Sequence, residues 1–464
     1  MTIEYKPSPP DKQNVRLRCM GEHVDLDQWT GYEFARDMLT PSDSFSFDMG
    51  GALEEKQRRG LKLGERVRPY INNMCLAEGY IDSVEINADR GGGLSYAITG
   101  RDRLGQTLDT VADPTFQLPE NGTLGDFLRR LFGPFGWTNE EHFDLDNSAN
   151  RAATAGARGL KLSKAKKQFG QELKDKKLHQ TKPYNHESIF HFASRVAQRH
   201  GLWIWPSVDG EKLIVSAPDY NQDPVFTLRR DRAGNGNILS GAVRYDMSDQ
   251  PAIIIADGFS GGGEFGKSRI KAYAVNPILG LTDEGEHTAD VKALLKRFPD
   301  AVESTLPAAS FAFRATNIPF RPMFLHDDES KSQEQLNAFV KREMSLMLRK
   351  ALTCHYTVEG HGMEVDGQFS AWTPDTIVDV RDYAAELKES MYVLGVHYSK
   401  RRGGTGTTTR LDLVRKHSIV FDATSASPTK ASGGQAAETE LDRAAAQANA
   451  VLNRILNSGR GNSR

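Results

Sequence analysis

The sequence predicts a mainly-β protein of the α+β class, and three observations carry the prediction. Apolar residues recur at every second position in many short runs. Glycine and proline clusters break those runs at close intervals. Only a few stretches switch to the three-to-four spacing of a helix. The clearest strands lie between Thr353 and Phe421: His355–Val358, Thr376–Val380, Met391–Tyr398 and Thr407–Val414. In the third, Tyr392, Leu394, Val396 and Tyr398 share a side, with Lys400, Arg401 and Arg402 beyond its end; in the fourth, Thr409, Leu411 and Leu413 oppose Arg410 and Asp412. Such alternation belongs to antiparallel sheet with one face in a core and the other in water. Gly360 to Gly367, Trp372-Thr373-Pro374 and Arg402 to Gly406 supply the breaks. The stretch is built as a wall.

The N-terminal stretch repeats the theme. Val15, Leu17 and Cys19 alternate with Arg16 and Arg18, and Ser44 to Met49 after Trp29 keeps a period of two. Gly64–Tyr70, Gly79–Ile86 and Ser95–Gly100 continue it, the last two joined through Asp89 to Gly93 as a hairpin. Strands at this spacing predict a small barrel or sandwich. From Gly122 the period changes: Leu124, Phe127, Leu128 and Leu131 form a short helix opened by Thr123 and stopped near Gly133-Pro134. A second helix after Asn185, with Ile189, Phe192, Ala193 and Val196 on one stripe and Gly201 at its stop, leads into a hairpin of Leu202–Trp205 and Lys212–Val215 around Asp209-Gly210. Strand character returns at Ile238–Tyr245 and Ala252–Ala256. Helices follow at Thr288–Phe298 and Ser332–Lys350, the latter opened by Ser332 and Gln335 with Leu336, Phe339, Val340, Met344 and Met347 as its apolar stripe. A Ser/Ala/Gly/Thr/Pro linker then leads to an alanine-rich helix, Glu438–Leu456, whose stripe of Leu441, Ala444, Ala448, Val451, Leu452 and Ile455 suggests docking on a partner or a second copy.

At 464 residues the chain exceeds one core; at about 100–200 residues per domain it predicts roughly three units. The 59 basic and 61 acidic side chains nearly cancel, so no overall field draws in nucleic acid or an anionic membrane. There is no long apolar run of membrane-spanning length and the N-terminus lacks the apolar core of a secretory signal, which predicts synthesis and retention in the cytoplasm unless lysis releases the protein. Cys19, Cys75 and Cys354, odd in number and far apart, read as reduced thiols.

Motifs for chemistry are weak. Gly261, Gly266, Lys267 and Ser268 satisfy the phosphate-loop pattern, Gly261, Gly263 and Gly266 the dinucleotide pattern, and Gly258, Ser260 and Gly262 the nucleophile elbow. One loop cannot do three jobs, and each motif needs a helix directly behind it, whereas Arg269 to Asn276 is short and stopped by Pro277. A plain loop is the expectation. His179, His186 and His191, with Glu187, lack the i, i+4 spacing of a helical metal site, and His355, His361 and Glu364 fall on a strand and in a turn. Arg151 to Lys177 carries nine Lys/Arg against Glu172 and Asp175 but a single aromatic, Phe169, so it reads as a solvated face rather than a nucleic-acid site. No catalytic, cofactor-binding or metal residue is assigned, and no cofactor. The enzymatic alternative is a peptidoglycan hydrolase, which would need an acid pair in a cleft, with 259–329 the favoured place.

The order of these pieces resembles the baseplate hub proteins of contractile-tailed bacteriophages, the Mu-type hub family related to the late control D protein and to the hub part of type VI secretion spikes. Val15-Arg-Leu-Arg with Gly21, Trp29 and Phe45-Ser-Phe resembles the family's opening sheet, Gly79-Tyr-Ile-Asp its next strand, and Thr99-Gly-Arg-Asp through Leu108-Asp109 its Gly-Arg turn. Glu187-Ser-Ile-Phe to Gly201-Leu202 and Asp209-Gly210 to Val215 resemble its helix-plus-hairpin insert; Tyr356 to Gly360, Trp372-Thr-Pro, Ile377 to Val380, Tyr392 to Val396 and Thr407 to Leu413 resemble its closing sheet. The resemblance implies two tail-tube-like β-barrel domains, 12–115 and 236–421, the second interrupted by an insert at 259–350. Between them stands an α+β insert at 120–222, and 422–464 follows as linker and helix. It further implies a non-enzymatic homotrimer in the virion's tail baseplate, assembled in the host cytoplasm. Its expected partners are the central spike, tail tube or tube-initiator proteins and baseplate wedge proteins, with no membrane span and DNA only as passing genome. The departures are 151–177, 259–329 and the tail after Phe421.

Overall fold

The computed structural model describes residues 13–416, apart from 52, 91–92, 120–121, 146–177, 179–181, 219, 221, 261–268, 277–291, 294–295, 298–301, 304–320, 329, 331, 366–367 and 402–405. The basic segment 151–177, His179, most of the expected helix Thr288–Phe298 and everything after Lys416, including the expected helix Glu438–Leu456, lie outside the described residues. The fold is mainly β, as the alternation predicts. It divides into two units: one of residues up to Arg244 together with Thr353–Lys416, the other Tyr245–Leu352.

The first unit begins with β1 (Val15–Cys19), β2 (Val24–Leu26), β3 (Trp29–Asp37), β4 (Ser44–Gly50), the short helix α1 (Glu55–Gly60), β5 (Arg66–Ile71), β6 (Met74–Cys75), β7 (Gly79–Asp89) and β8 (Gly93–Asp102). β7 and β8 form the expected hairpin, paired from Gly79↔Asp102 to Asp89↔Gly93. Next come α2 (Leu104–Asp109), α3 (Leu124–Phe132), β9 (Phe143–Asp144), α4 (Ile189–Arg199), β10 (Trp203–Pro206) and β11 (Leu213–Ser216). This is the helix-plus-hairpin element. Thr123 caps α3 by accepting from Asp126 N–H while Asp126 reaches back to Thr123, and Ser188 caps α4 by accepting from His191 N–H. The two helices bury Phe127 and Phe192 edge to face, 5.2 Å between ring centres, with Leu128, Leu131, Val196, Leu213 and Val215 around them.

The unit closes with β12 (Phe226–Arg230), β13 (Ile238–Tyr245) and, after the second unit, β18 (Leu352–Glu359), β19 (Gly362–Val365), β20 (Gln368–Ala371), β21 (Ile377–Asp382), β22 (Leu387–Arg401) and β23 (Thr408–Arg415). N-terminal and C-terminal strands join one sheet in the order β13-β18-β23-β22-β3-β4-β8-β7-β5-β1-β2, with β21 and β12 branching from β22 and β6 from β5. The joint is the β3–β22 ladder, from Gly395↔Asp37 to Arg401↔Gly31. β3 is one of the strands the alternation missed, with β12 and, in the second unit, Arg269–Val275 and Pro322–Asp327: an irregular register between Trp29 and Gly31 breaks the period of β3. The run of alternate residues in β22 also needs correction, because a bulge at Leu394 shifts the pairing between Val393 and Gly395, and Val393, Leu394 and Val396 are all buried. Gly360 to Gly367, expected as a plain break, holds the β19–β20 hairpin. No ladder among the described residues closes either expected barrel; the path is open at both ends.

In the second unit β14 (Ile253–Phe259) pairs antiparallel with β15 (Arg269–Val275) and parallel with β17 (Pro322–Asp327), with β16 (Val302–Glu303) beside β15. Helix α5 (Gln333–Ala351), capped by Ser332 as its sequence predicts, lays Leu336, Val340, Met344 and Leu348 on Ile254, Ala256, Ala272 and Ala274. It ends where β18 begins.

Candidate functional site

The described residues place the sequence's candidate chemistry in separate and mostly structural surroundings. Gly258 and Phe259 end β14 opposite Ile270 and Arg269, so the glycine cluster joins two antiparallel strands. A phosphate loop would open a helix, and here a strand follows. Gly261 to Ser268 themselves lie outside the described residues. His191 packs on its own cap, its Nδ1 2.8 Å from Ser188 Oγ, and Glu187 is tied to Arg195 at 2.8 Å. His361 is fully buried between Tyr32 Oη at 2.5 Å and Thr409 Oγ1 at 2.9 Å, and burial pushes its pKa down to about 3, so it stays neutral. His355 lies on the outward side of β18 against Asp412. Cys19, Cys75 and Cys354 are free thiols whose pKa values burial raises. Among the described residues no group of three His, Cys, Asp or Glu side chains is placed to hold a metal ion, and no helix is long and apolar enough to cross a membrane.

A cleft of about 1070 Å³ opens beside β5, between Arg66, Arg68, Glu78 and Arg103 on one wall and Glu140 to Leu145 on the other. Two buried carboxylates line it, Asp144 at 5% exposed and Glu78 at 1%, and the arginines gather on Glu78. Arg66 lies 2.6 Å away, Arg68 donates from both Nε and a terminal nitrogen, and Arg103 stands at 3.6 Å. Burial pushes the Glu78 pKa up, but the hydrogen bonds and charges of Arg66 and Arg68 outweigh it and the net shift is down. A general acid needs the opposite shift. Arg103 also stacks on Trp137 at 4.3 Å and donates to the Phe135 carbonyl at 2.9 Å, while Gly210, at φ +73°, passes so close to Glu78 that a side chain there would strike its backbone. This constellation fastens the helix-plus-hairpin element onto the first strands.

An acid pair elsewhere is closed off from solvent. Asp43 and Asp102 are both buried, and Asp102 accepts from Ser42 Oγ at 2.6 Å and from the N–H groups of Asp43, Leu104 and Gly105. Arg36 holds Asp43 at 2.9 Å. Burial and then the neighbouring Asp43 push the Asp102 pKa up to about 7. The group that keeps a proton has no open route to a substrate.

What is left exposed is the wall itself. Phe34, Phe45, Phe47, Ile98, Tyr356, Val396, Tyr398 and Leu411 line its inner face and are buried. Across the outer face one register row reads Glu359, Thr408, Ser399, Glu33, Ser46, Thr99 and Ser83 over seven strands. Beside it Asp412 bridges His355 at 2.5 Å and His397 at 3.1 Å and takes Arg410 at 3.1 Å. Burial opposes the charge of Asp412, but those three partners together hold its carboxyl far below the usual range. The row is small, polar and without a large apolar side chain.

The wall has two open edges. β7 is paired along its length with β8, but β5 meets it only at Gly79 and Tyr80, with Ile81 bonding Gly64 and Glu65. From Asp82 to Asp89 its far side has no ladder among the described residues. Among the described residues β13 pairs with β18 alone. Glu359 N–H donates to Asn237 at 3.2 Å and Gly241 lies against the Tyr356 ring, so the two strands run antiparallel, and among the described residues Leu239 to Val243 has no ladder on the other side. Each open edge exposes a large apolar residue, Ile86 at 61% and Leu239 at 53%. The other ends are protected: β2 is three residues long, and β12 is sealed by Asn237, which donates to Thr227 and accepts from Arg229. No motif could have marked these edges, because an edge is defined by what the rest of the chain fails to pair.

The comparisons with known proteins bear on the same region. Residues 14–102 match the Mu phage baseplate assembly protein GpP-like, N-terminal, family. The GpP-like segment starts at β1 and ends with β8, so it holds the whole N-terminal half of the wall. Two solved structures share the fold over most of the chain. The tail protein from Neisseria meningitidis MC58 is 20% identical, with a TM-score of 0.62 over 88% of this chain and 98% of its own. The 43 kDa tail protein of prophage MuSo2 from Shewanella oneidensis is 16% identical, with a TM-score of 0.61 over 88% and 100%. A component of the type VI secretion system from E. coli aligns at a TM-score of 0.45, 10% identical, over 88% of this chain and 78% of its own. No curated protein matches the sequence.

Proposed function

We propose that this chain is a structural hub of a contractile phage tail baseplate. In this reading it is a homotrimeric ring that fits a threefold central spike to the sixfold tail tube and lines the channel by which the genome leaves. It works without turnover, in the virion, after assembly in the host cytoplasm. The observation that carries the reading is the pair of open edges. From β13 to β7 the wall has eight strands, each antiparallel to the next. An even number leaves the two outermost strands running in opposite directions, so the β7 edge of one copy meets the β13 edge of the next as ordinary antiparallel sheet. Such a head-to-tail contact closes into a ring when its rotation divides a circle.

The rest of the wall supports the same reading. β13-β18-β23-β22 and β3-β4-β8-β7 are two blocks of four strands on either side of the β3–β22 joint. They are the proposed counterparts of the two hub domains, 12–115 and the outer parts of 236–421. Three chains then present six similar blocks to a sixfold tube and keep a threefold face for the spike. The small polar row suits a channel wall, where no side chain should grip passing DNA. The match of residues 14–102 to the Mu phage baseplate assembly protein GpP-like family supports this reading. The test is the native mass by light scattering: a trimer of the 51.4 kDa chain, three times that value or about 154 kDa, is expected. A monomer at micromolar concentration refutes the ring.

A further inference from the structure

Four arginines share the outward side of β1 and β5. Arg16 and Arg18 lie two residues apart on one strand, Arg66 and Arg68 two apart on the other, and the register sets Arg18 directly across from Arg68. Like charges facing each other across a ladder are destabilising, so packing alone does not explain the arrangement. The guanidiniums are nonetheless held in place. Arg16 lies over the Tyr70 ring at 4.9 Å, and Arg66 and Arg68 are anchored from beneath by the buried Glu78. Of the carboxylates on the face, Asp25 reaches Arg16 and Arg18 only at 3.6 and 3.9 Å and Glu211 reaches Arg68 at 3.3 Å, and Arg16 Nε is buried with no acceptor. Arg18 and Arg66 keep 40% and 48% of their side chains exposed.

We propose that this face docks an acidic, extended segment of another protein, one that carries carboxylates at every second residue. Alternate residues of a strand repeat about every 6.6–6.8 Å, and that same repeat separates Arg16 from Arg18 and Arg66 from Arg68. A guanidinium offers a planar fork that takes a carboxylate through two hydrogen bonds, and a fork already fixed by Glu78 or Tyr70 loses little freedom on binding. Nucleic acid fits less well. A duplex carries a charge about every 1.7 Å of its axis, far denser than one guanidinium about every 6.6–6.8 Å along a strand. One of the aromatics at the face, Tyr70, already lies under Arg16 and is not free to stack on a base. β1 and β5 carry neither open edge of the wall, so the docking face does not depend on ring closure.

The experiment titrates the full chain with a fluorescein-labelled peptide of about eight residues alternating Glu and Thr, read by anisotropy. A Gln/Thr peptide and a duplex of about 20 base pairs serve as comparisons. The Glu peptide is expected to bind, to weaken steeply with salt, and to lose at least about tenfold in affinity in the Arg18→Gln/Arg66→Gln double variant, while the Gln peptide binds neither protein. Arg18→Gln alone leaves the Glu78 anchor untouched and is expected to give a partial loss, with unchanged thermal melting. Failure of the Glu peptide to bind, or equal binding to wild type and double variant, overturns the proposal. Tighter binding of the duplex, lost in the same variant, also overturns it and makes the face a nucleic-acid surface. Light scattering on the same samples keeps this outcome separate from the oligomeric state.

Discussion

Glu78 is the residue on which the junction of the first strands and the helix-plus-hairpin element turns. Its folded pKa lies below the ordinary value of 4.5, so its contribution to stability is present above that pH and fades as acid protonates it. Glu78→Gln leaves Arg68 and Arg103 half-buried without their anion, and the expected cost in urea unfolding at pH 7 is about 3 kcal/mol, the low end for a broken buried pair because Arg66 stays half exposed. The same substitution should flatten the loss of stability below about pH 4.5. Asp102 gives the opposite sign. Its pKa rises from 3.8 to about 7, so folding favours its protonated form and stability falls as pH climbs between those values. Asp102→Asn is expected to remove that slope, so that melting temperatures compared at pH 4 and pH 8 converge relative to wild type. Little of this was legible beforehand. Glu78 and Arg103 stand 25 positions apart in a chain crowded with carboxylates, and only the fold selects the pair that meets.

The elements were easier to read where side-chain period and backbone agreed. Thr123 and Ser332 announced their helices because a hydroxyl followed three residues later by Asp126 or Gln335 satisfies backbone donors locally. The β7–β8 hairpin was equally plain from the glycines at its turn. β3 was invisible for the converse reason: its irregular register sets Thr30 out of phase, and it is the strand that joins the two halves. Open edges were illegible in principle, since β7 and β13 carry the same alternation as any paired strand. Their testable consequence is specific. Ile86→Lys and Leu239→Lys each place a charge beside an unpaired edge, a device by which natural sheets refuse further strands. Each variant is expected to melt within about 1 kcal/mol of wild type as a monomer, because surface changes cost little. In sedimentation each should need at least about tenfold more protein to form the trimer.

The first unit behaves, on this account, as a wall with two complementary ends. Its mainly-β class, the antiparallel sheet within 353–421 and the helix-plus-hairpin element followed from the spacing of apolar residues, two apart in strands and three to four apart in helices. What alternation could not supply was the joining of residues near position 35 to residues near position 395, a contact fixed by topology. The twin blocks, the polar row and the opposed edges together make the case for a mechanical part that couples neighbours. Amide hydrogen exchange on the assembled protein tests that case at its centre. Outward N–H groups of Asp82 to Asp89 and of Leu239 to Val243 should be protected in the trimer as strongly as those of β22, and should exchange freely in Ile86→Lys. If both edges exchange at the rate of exposed loops while the assembly is intact, the ring is not closed by strand pairing and the account is wrong.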